Sequence, residues 1–221
     1  LASSASGIAS LVTAYNHFFE LSMNFDQLVQ ASILGSGSAP RSLLGGFVIL
    51  DVEDQIFTQT ILEPDEWPLS IIICITDDNE KTISSREGME ISRHSSPIYL
   101  SWLDTNKKDI EIAKSAIAEK NIKRLGEVAE KNCYFMHKVM KTSSPPIKYM
   151  TDRTKNCIKE INSIRENGVD LFFTVDAGPQ VKVVCRPDDI NLVKERLQNK
   201  PYVLNLIEAN IGSGARVIDE D

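Results

Sequence analysis

"FFTVDAGPQVKVV", residues 172–184, holds two apolar runs separated by an aspartate and Ala-Gly-Pro. Such runs on either side of a Gly-Pro turn read as two strands that fold back on each other. Asp176 ends the first run. Burying a carboxylate without partners is costly, so Asp176 is either the cap of a turn or a group whose fixed position serves chemistry. Outward from this centre, "LFFTVDA" and "QVKVVCR" form a strand pair, and "PDDINLVKERLQNK" forms a helix with Pro187 near its start. "YVLNLIEANIGSGARVIDE" closes the chain as strand material with a glycine kink.

Upstream, a helical region runs with breaks from Ser84 to about Asn167 and is stopped at Gly168. "LSIIICITD" precedes it. This short run of β-branched residues predicts a strand buried on both faces. Two further strands, "FVILDVE" and "QIFTQTIL", are joined by a short acidic turn, and "EPDEWP" is a linker. The N-terminal stretch "SSASGIASLVTAYNHFFEL" is a helix, with Ile8, Leu11, Val12, Tyr15, Phe18 and Phe19 at three- to four-residue spacing. "NFDQLVQASIL" is a second helix, with Asn24 as its N-cap. The order is α+β rather than a regular βαβ alternation. A boundary at "EPDEWP" separates residues 1–68 from a C-terminal domain, 69–221.

Composition narrows the function. The 221-residue chain carries a net charge of −7, with no Lys/Arg run, which argues against a nucleic-acid surface. The longest apolar stretch, around Leu69–Ile75, is strand-sized and too short to span a membrane. No signal peptide is expected at the start. The four cysteines, Cys74, Cys133, Cys157 and Cys185, lack CxxC spacing, so they do not form a zinc site. They are expected to be reduced in a cytoplasmic protein, with Cys133 and Cys157, on neighbouring helices, the pair that could join. No protein metal site is expected. His17 and His137 read as structural and His94 as a surface or loop residue.

Three stretches suit an anionic ligand. "LASSASG" runs small residues into a helix start, where Ser3, Ser4 and Ser6 either cap free N–H groups or leave them for phosphate. "GSGSAPRS" offers Gly35 and Gly37 for a close turn, hydroxyls at Ser36 and Ser38, and the planar fork of Arg41; it reads equally as a Gly/Ser loop with a solvated arginine. In the third, the opening stretch, Asp176 caps the Gly178-Pro179 turn, or else faces a cleft as a general base or a partner of Arg41.

"LASSASG", "GSGSAPRSLLGGFV", "SSREGM", "MH", "PPIKYM" and "FFTVDAGPQVKV" occur together, in this order, along essentially the whole chain. In this the sequence resembles the diphosphomevalonate decarboxylases of the GHMP kinase superfamily. The resemblance implies part of a ribosomal-S5-like domain followed by a ferredoxin-like α/β sandwich, with the active site in the cleft between them. It implies ATP and Mg2+ as cofactors, mevalonate 5-diphosphate as substrate, and a cytoplasmic homodimer. The reaction would phosphorylate the C3 hydroxyl, then lose phosphate and CO2 to give isopentenyl diphosphate. Asp176 would orient or deprotonate that hydroxyl and Arg41 would hold the substrate carboxylate. Ser36, Gly37, Ser38 and Ala39 would form the diphosphate loop, Ser85 would lie near the reacting phosphoryl group, and Ala2, Ser3, Ser4 and Ser6 would cradle ATP.

The alternatives are a phosphomevalonate decarboxylase or a mevalonate 3-kinase-like relative, and, in another class, a binding module without catalysis. Family members carry a preceding segment with a lysine- and tyrosine-containing substrate motif, so the chain reads as N-terminally truncated. Pro40 and Leu44 stand where many members have a smaller residue and a tyrosine.

Overall fold

The computed structural model describes residues 3–52, 56–79 and 81–218. It divides into two compact units, Leu1–Pro68 with Ile211–Asp221, and Leu69–Asn210.

In the first unit, α1 (Ser3–Phe18), α2 (Phe25–Gly35) and the short α3 (Pro40–Leu43) precede an antiparallel pair, β1 (Phe47–Asp51) and β2 (Phe57–Leu62). Asn24 caps α2 as its sequence predicts. Its side chain accepts the Gln27 N–H at 2.9 Å, and the Gln27 side chain accepts the Asn24 N–H in return. Ala9, Val29 and Leu43 meet in a small core, and Phe47 stacks on Trp67 with ring centroids 5.1 Å apart. The apolar stripe expected to bury α1 is only partly used: Leu11, Tyr15, Phe18 and Phe19 are exposed, while Ala9 turns inward. The acidic turn expected between β1 and β2 falls on residues 53–55, outside the described residues.

The chain's end corrects the expected 69–221 assignment. Residues from Ile211 group with the first unit. The Gly46 N–H donates to the Gly212 carbonyl at 3.0 Å, and the Ala215 N–H to the Ser42 carbonyl at 3.1 Å. Among the described residues, the strand read across 202–220 is β6 (Asn205–Asn210) alone, and residues 211–218 form no regular element.

The second unit runs β3 (Ser70–Ile75), α4 (Ser85–Ser95), α5 (Tyr99–Ala118), α6 (Ile122–Lys141), α7 (Asp152–Glu166), β4 (Leu171–Thr174), β5 (Val181–Cys185), a 3-10 turn at Pro187–Asp189, α8 (Ile190–Leu197) and β6. Its sheet has the order β4-β5-β3-β6, every pair antiparallel. That strand–helix–strand–strand–helix–strand pattern is ferredoxin-like, and the class is α+β. Ile72, Phe173, Val181 and Val183 pack against Ile158, Ile161 and Ile164 of α7 and Val193 and Leu197 of α8. β3 alternates buried and half-buried residues, where its apolar run predicts burial on both faces. Continuous apolar runs are read as buried on both faces from parallel sheets, and this sheet is antiparallel.

The four cysteines are free and buried. Cys133 bonds to the backbone of β4's end rather than to Cys157, so the expected pairing is not made; Cys157 shares the core with Cys74.

Helix α6 approaches the sheet closely at Gly126, where an added Cβ would lie 2.6 Å from the Phe172 Cβ. No rotamer change moves a Cβ, so the overpacking cost of Gly126→Ala lies near the upper end of its range, about 3 kcal/mol. Helix propensity returns about 1 kcal/mol. A net loss of about 2 kcal/mol is expected in urea denaturation; an unchanged midpoint would show that α6 can shift to make room.

Candidate functional site

The anion-suited residues fall in both units, and each set is built locally. In the first unit, α2 ends at Gly35, where an added Cβ would lie 2.8 Å from the Ile8 side chain. The Ser36 N–H donates to the Ser32 carbonyl, and the Ala39 N–H to the Ser36 carbonyl at 2.9 Å, which folds "SGSA" into a turn. The Ser36 and Ser38 hydroxyls lie 3.2 Å apart. Ala39 is fully buried, and Pro40 starts α3, where its missing N–H costs nothing. Arg41 is exposed on that turn. Around Gly37 an added Cβ would meet nothing within 4 Å, so its outer side is open. Ser3, Ser4 and Ser6 belong to the first two turns of α1, with Ser4 and Ser6 exposed; they are helical rather than part of a loop ahead of the helix. Ala2 lies outside the described residues.

In the second unit the Asp-Ala-Gly-Pro turn is held by hydrogen bonds along its length. The Gly178 N–H donates to the Asp176 carbonyl at 2.7 Å. The Pro179 carbonyl accepts from two fully buried hydroxyls, Thr76 at 2.7 Å and Thr154 at 2.8 Å. Thr154 is itself fixed by the capping box with Thr151 that starts α7. Gln180 accepts the Thr76 N–H at 2.8 Å and donates to the Asp77 carbonyl at 2.5 Å. The Ala177 carbonyl accepts from Lys81 Nζ at 2.5 Å and from Ser85 Oγ at 3.3 Å, and Lys81 Nζ also reaches Ser85 Oγ at 3.2 Å. Ser85 opens α4, just after its N-cap Ser84. The structure thus brings together Asp176, Ser85 and two lysines.

The second lysine is Lys182, which forms an ion pair with the Asp176 carboxylate. Lys182 lies opposite Thr174 in the β4–β5 register, on the face away from the main core. Its side chain is only 17% exposed, against 66% for Asp176. A lysine so enclosed needs a nearby anion, and Asp176 supplies it while keeping its own carboxylate accessible. Asp176 is therefore an exposed, anchored carboxylate rather than a buried one.

The backbone just before Asp176 is also held. Cys133 of α6 accepts the Val175 N–H and donates to the Val175 carbonyl, both at 3.3 Å, and His137 Nε2 lies 3.0 Å from that carbonyl. A carbonyl only accepts, so His137 carries its proton on Nε2. Burial holds the His137 pKa below its ordinary 6.5, and nearby Lys182 pushes the same way; the Val175 hydrogen bond and the Asp176 charge oppose this. Burial likewise raises the Cys133 thiol, keeping it protonated.

Lys182 and Lys81 are not among the residues that the sequence singles out, and Cys133 and His137 enter there only as a cysteine expected to be reduced, with Cys157 the partner it could join, and a structural histidine. Lys182 left a trace, as a lone cation in the apolar strand "QVKVVC". Lys81 left none, because it lies 96 positions from the carbonyl it binds. Among the described residues, no three His, Cys, Asp or Glu side chains cluster to hold a metal ion, and no helix is long and apolar enough to cross a membrane.

The buried neutral imidazole has a testable sign. In the unfolded chain His137 gains its proton near pH 6.5, whereas the folded protein resists it. The stability is full above 6.5 and is lost as pH falls from there toward the lowered folded value. Thermal melts between pH 7 and pH 5.5 are expected to show this decline, and His137→Gln to flatten it. An equal decline in the variant would assign the effect to other groups.

Two family models cover the chain: the mevalonate 5-diphosphate decarboxylase C-terminal domain over residues 71–211, and the diphosphomevalonate decarboxylase-like N-terminal domain over residues 1–60. The diphosphomevalonate decarboxylase of Candida albicans is 33% identical over 190 residues, which is 83% of this chain and 52% of that protein. The chain spans about half the length of the curated relatives it matches. The crystal structure of mevalonate diphosphate decarboxylase from Staphylococcus aureus superposes with a TM-score of 0.89 at 32% identity, covering 99% of this chain and 68% of that one. A structure of MDDEF in complex with MVAPP, AMPPCP and magnesium gives a TM-score of 0.88 at 32% identity, covering 97% of this chain and 67% of its own. With a C-terminal family domain spanning most of its length and a neighbour's fold matched nearly end to end, this chain belongs to the mevalonate 5-diphosphate decarboxylase family.

Proposed function

We propose that the protein of which this chain forms part decarboxylates mevalonate 5-diphosphate at the expense of ATP, giving isopentenyl diphosphate. The observation that carries this reading is the anchored but exposed Asp176, paired with Lys182 on a turn pinned at the Ala177 and Pro179 carbonyls. A tertiary alcohol is a poor nucleophile. A carboxylate fixed beside it orients the hydroxyl and takes its proton as the γ-phosphoryl group is attacked. Magnesium enters as the Mg-ATP substrate, a reading supported by the MDDEF complex, which contains both AMPPCP and magnesium.

The remaining residues fit roles around that step. Lys81 and Ser85 at the Ala177 carbonyl present donors to a transferring phosphoryl group, whose equatorial oxygens carry the charge. Ser36, Gly37, Ser38 and Ala39 serve as the diphosphate loop, with Gly37's open side left for the approaching oxygens. Arg41, exposed on α3, offers its fork to the substrate carboxylate. Ser3, Ser4 and Ser6, at the positive end of α1, serve ATP together with Ala2. Loss of the new C3 phosphate with CO2 then completes the reaction, and negative groups nearby stabilise positive character at C3.

The protein is incubated with Mg-ATP and, in turn, mevalonate 5-diphosphate, mevalonate 5-phosphate and mevalonate, with ADP and CO2 followed together. Matching ADP and CO2 from the diphosphate are expected. ADP without CO2 would make it a C3 kinase, and turnover of the monophosphate instead would reassign the substrate. Asp176→Asn is expected to cost at least about a hundredfold in kcat while ATP binding stays intact. Arg41→Lys, which keeps the charge and loses the fork, is expected to lose about tenfold or more in kcat/KM; a wild-type value would remove Arg41 from carboxylate recognition.

A further inference from the structure

β4 is an edge strand, and an edge strand leaves a row of N–H and C=O groups without ladder partners. Among the described residues no fifth strand completes that edge. Side chains from one face of α6 do so instead. Glu130 Oε1 accepts the Phe173 N–H at 3.1 Å, Cys133 brackets both the N–H and the carbonyl of Val175, and His137 reaches the same carbonyl. The spacing matches: Glu130, Cys133 and His137 share a helix face at i, i+3 and i+7, and Phe173 and Val175 present the same strand edge at i and i+2. Glu130 is anchored in turn by Arg165 of α7 at 2.7 Å.

The strand has lost its other partner at this point. The β4–β5 register ends at Thr174↔Lys182, so Val175 has no ladder pair. A cavity of about 330 Å³ also reaches Cys133, Thr174, Val175 and Asp176, while the Val175 side chain itself is fully buried in the core. The Val175 backbone rests on Cys133 and His137.

We infer that α6 acts as a side-chain clamp on the β4 edge, with His137 a positioning residue that sets where Asp176 presents its carboxylate through the Val175 carbonyl. This rests on the reading of Asp176 given above, and it adds a residue that acts through the backbone carbonyl of Val175. The role needs one N–H donor at the Nε2 position and no titration of the ring. A glutamine places an amide N–H at the same reach, whereas leucine fills similar space without a donor.

The test compares His137→Gln and His137→Leu in the intact protein, first by hydrogen exchange without substrate and then by steady-state kinetics. For the leucine variant, amides across 174–178 are expected to exchange about tenfold faster, the effect of one net hydrogen bond. Its kcat is expected to fall about ten- to a hundredfold, as a small displacement of a reacting group does, with KM for ATP within about twofold of wild type. The glutamine variant is expected to recover most of both. Equal losses in the two variants, or unchanged exchange over 174–178, would overturn the clamp and leave His137 as packing. Exchange is read without turnover, so a wild-type protein that releases no CO2 would overturn the decarboxylase reading alone.

Discussion

The Pro179 carbonyl, gripped by the buried hydroxyls of Thr76 and Thr154, is the contact on which the placement of the Asp176 turn depends. It joins the end of β3, the start of α7 and the turn between β4 and β5 at one oxygen. The outermost of the three elements lie 103 positions apart and the nearest two 25, yet none can move at this point without breaking a hydrogen bond from a buried hydroxyl, which costs more than the bond's net worth. With that oxygen fixed, Asp176 emerges on a short, stiff turn. Lys182 then sets the direction of its carboxylate, and the side chains of α6 hold the backbone before it.

Much of this was legible in the sequence, for identifiable reasons. The strand–turn–strand around Asp176, the Asn24 cap and the stop at Gly168 are local features, written in turn and cap residues whose chemistry acts over a few positions. The linker at "EPDEWP" showed as a change of composition. The motif set carried the family and, with it, the candidate residues at Asp176, Arg41, Ser36, Ser38 and Ser85.

What escaped was non-local. Lys182 and Asp176 are six residues apart, but only the turn geometry makes them face each other. Cys133 and His137 looked like packing residues because their partner is a backbone carbonyl, which no side-chain pattern records. The return of the chain's end to the first unit was hidden because "IGSGARVI" has no periodicity and is held by contacts with Ser42 and Gly46. The apolar stripe of α1 misled for the opposite reason: spacing reveals which face is apolar, not whether something in the structure covers it.

The division of the chain has a kinetic consequence. The second unit is inserted between two parts of the first, so the first cannot be completed until the inserted stretch has been synthesised. Closing a loop that long is entropically unfavourable while it remains unfolded. The inserted unit removes most of that penalty itself, because β3 and β6 pair Ser70 with Asn210, and the Ser70 hydroxyl bonds to the Asn210 side chain at 3.1 Å across 140 positions. Once it folds, the entering and leaving strands lie side by side, and an open loop of that length becomes an effective loop of a few residues. On a logarithmic dependence of closure entropy on length, this relieves about 3 kcal/mol. Folding is thus expected to be ordered from the inside outward, with the inserted sheet acting as the tether that lets the tail find Gly46.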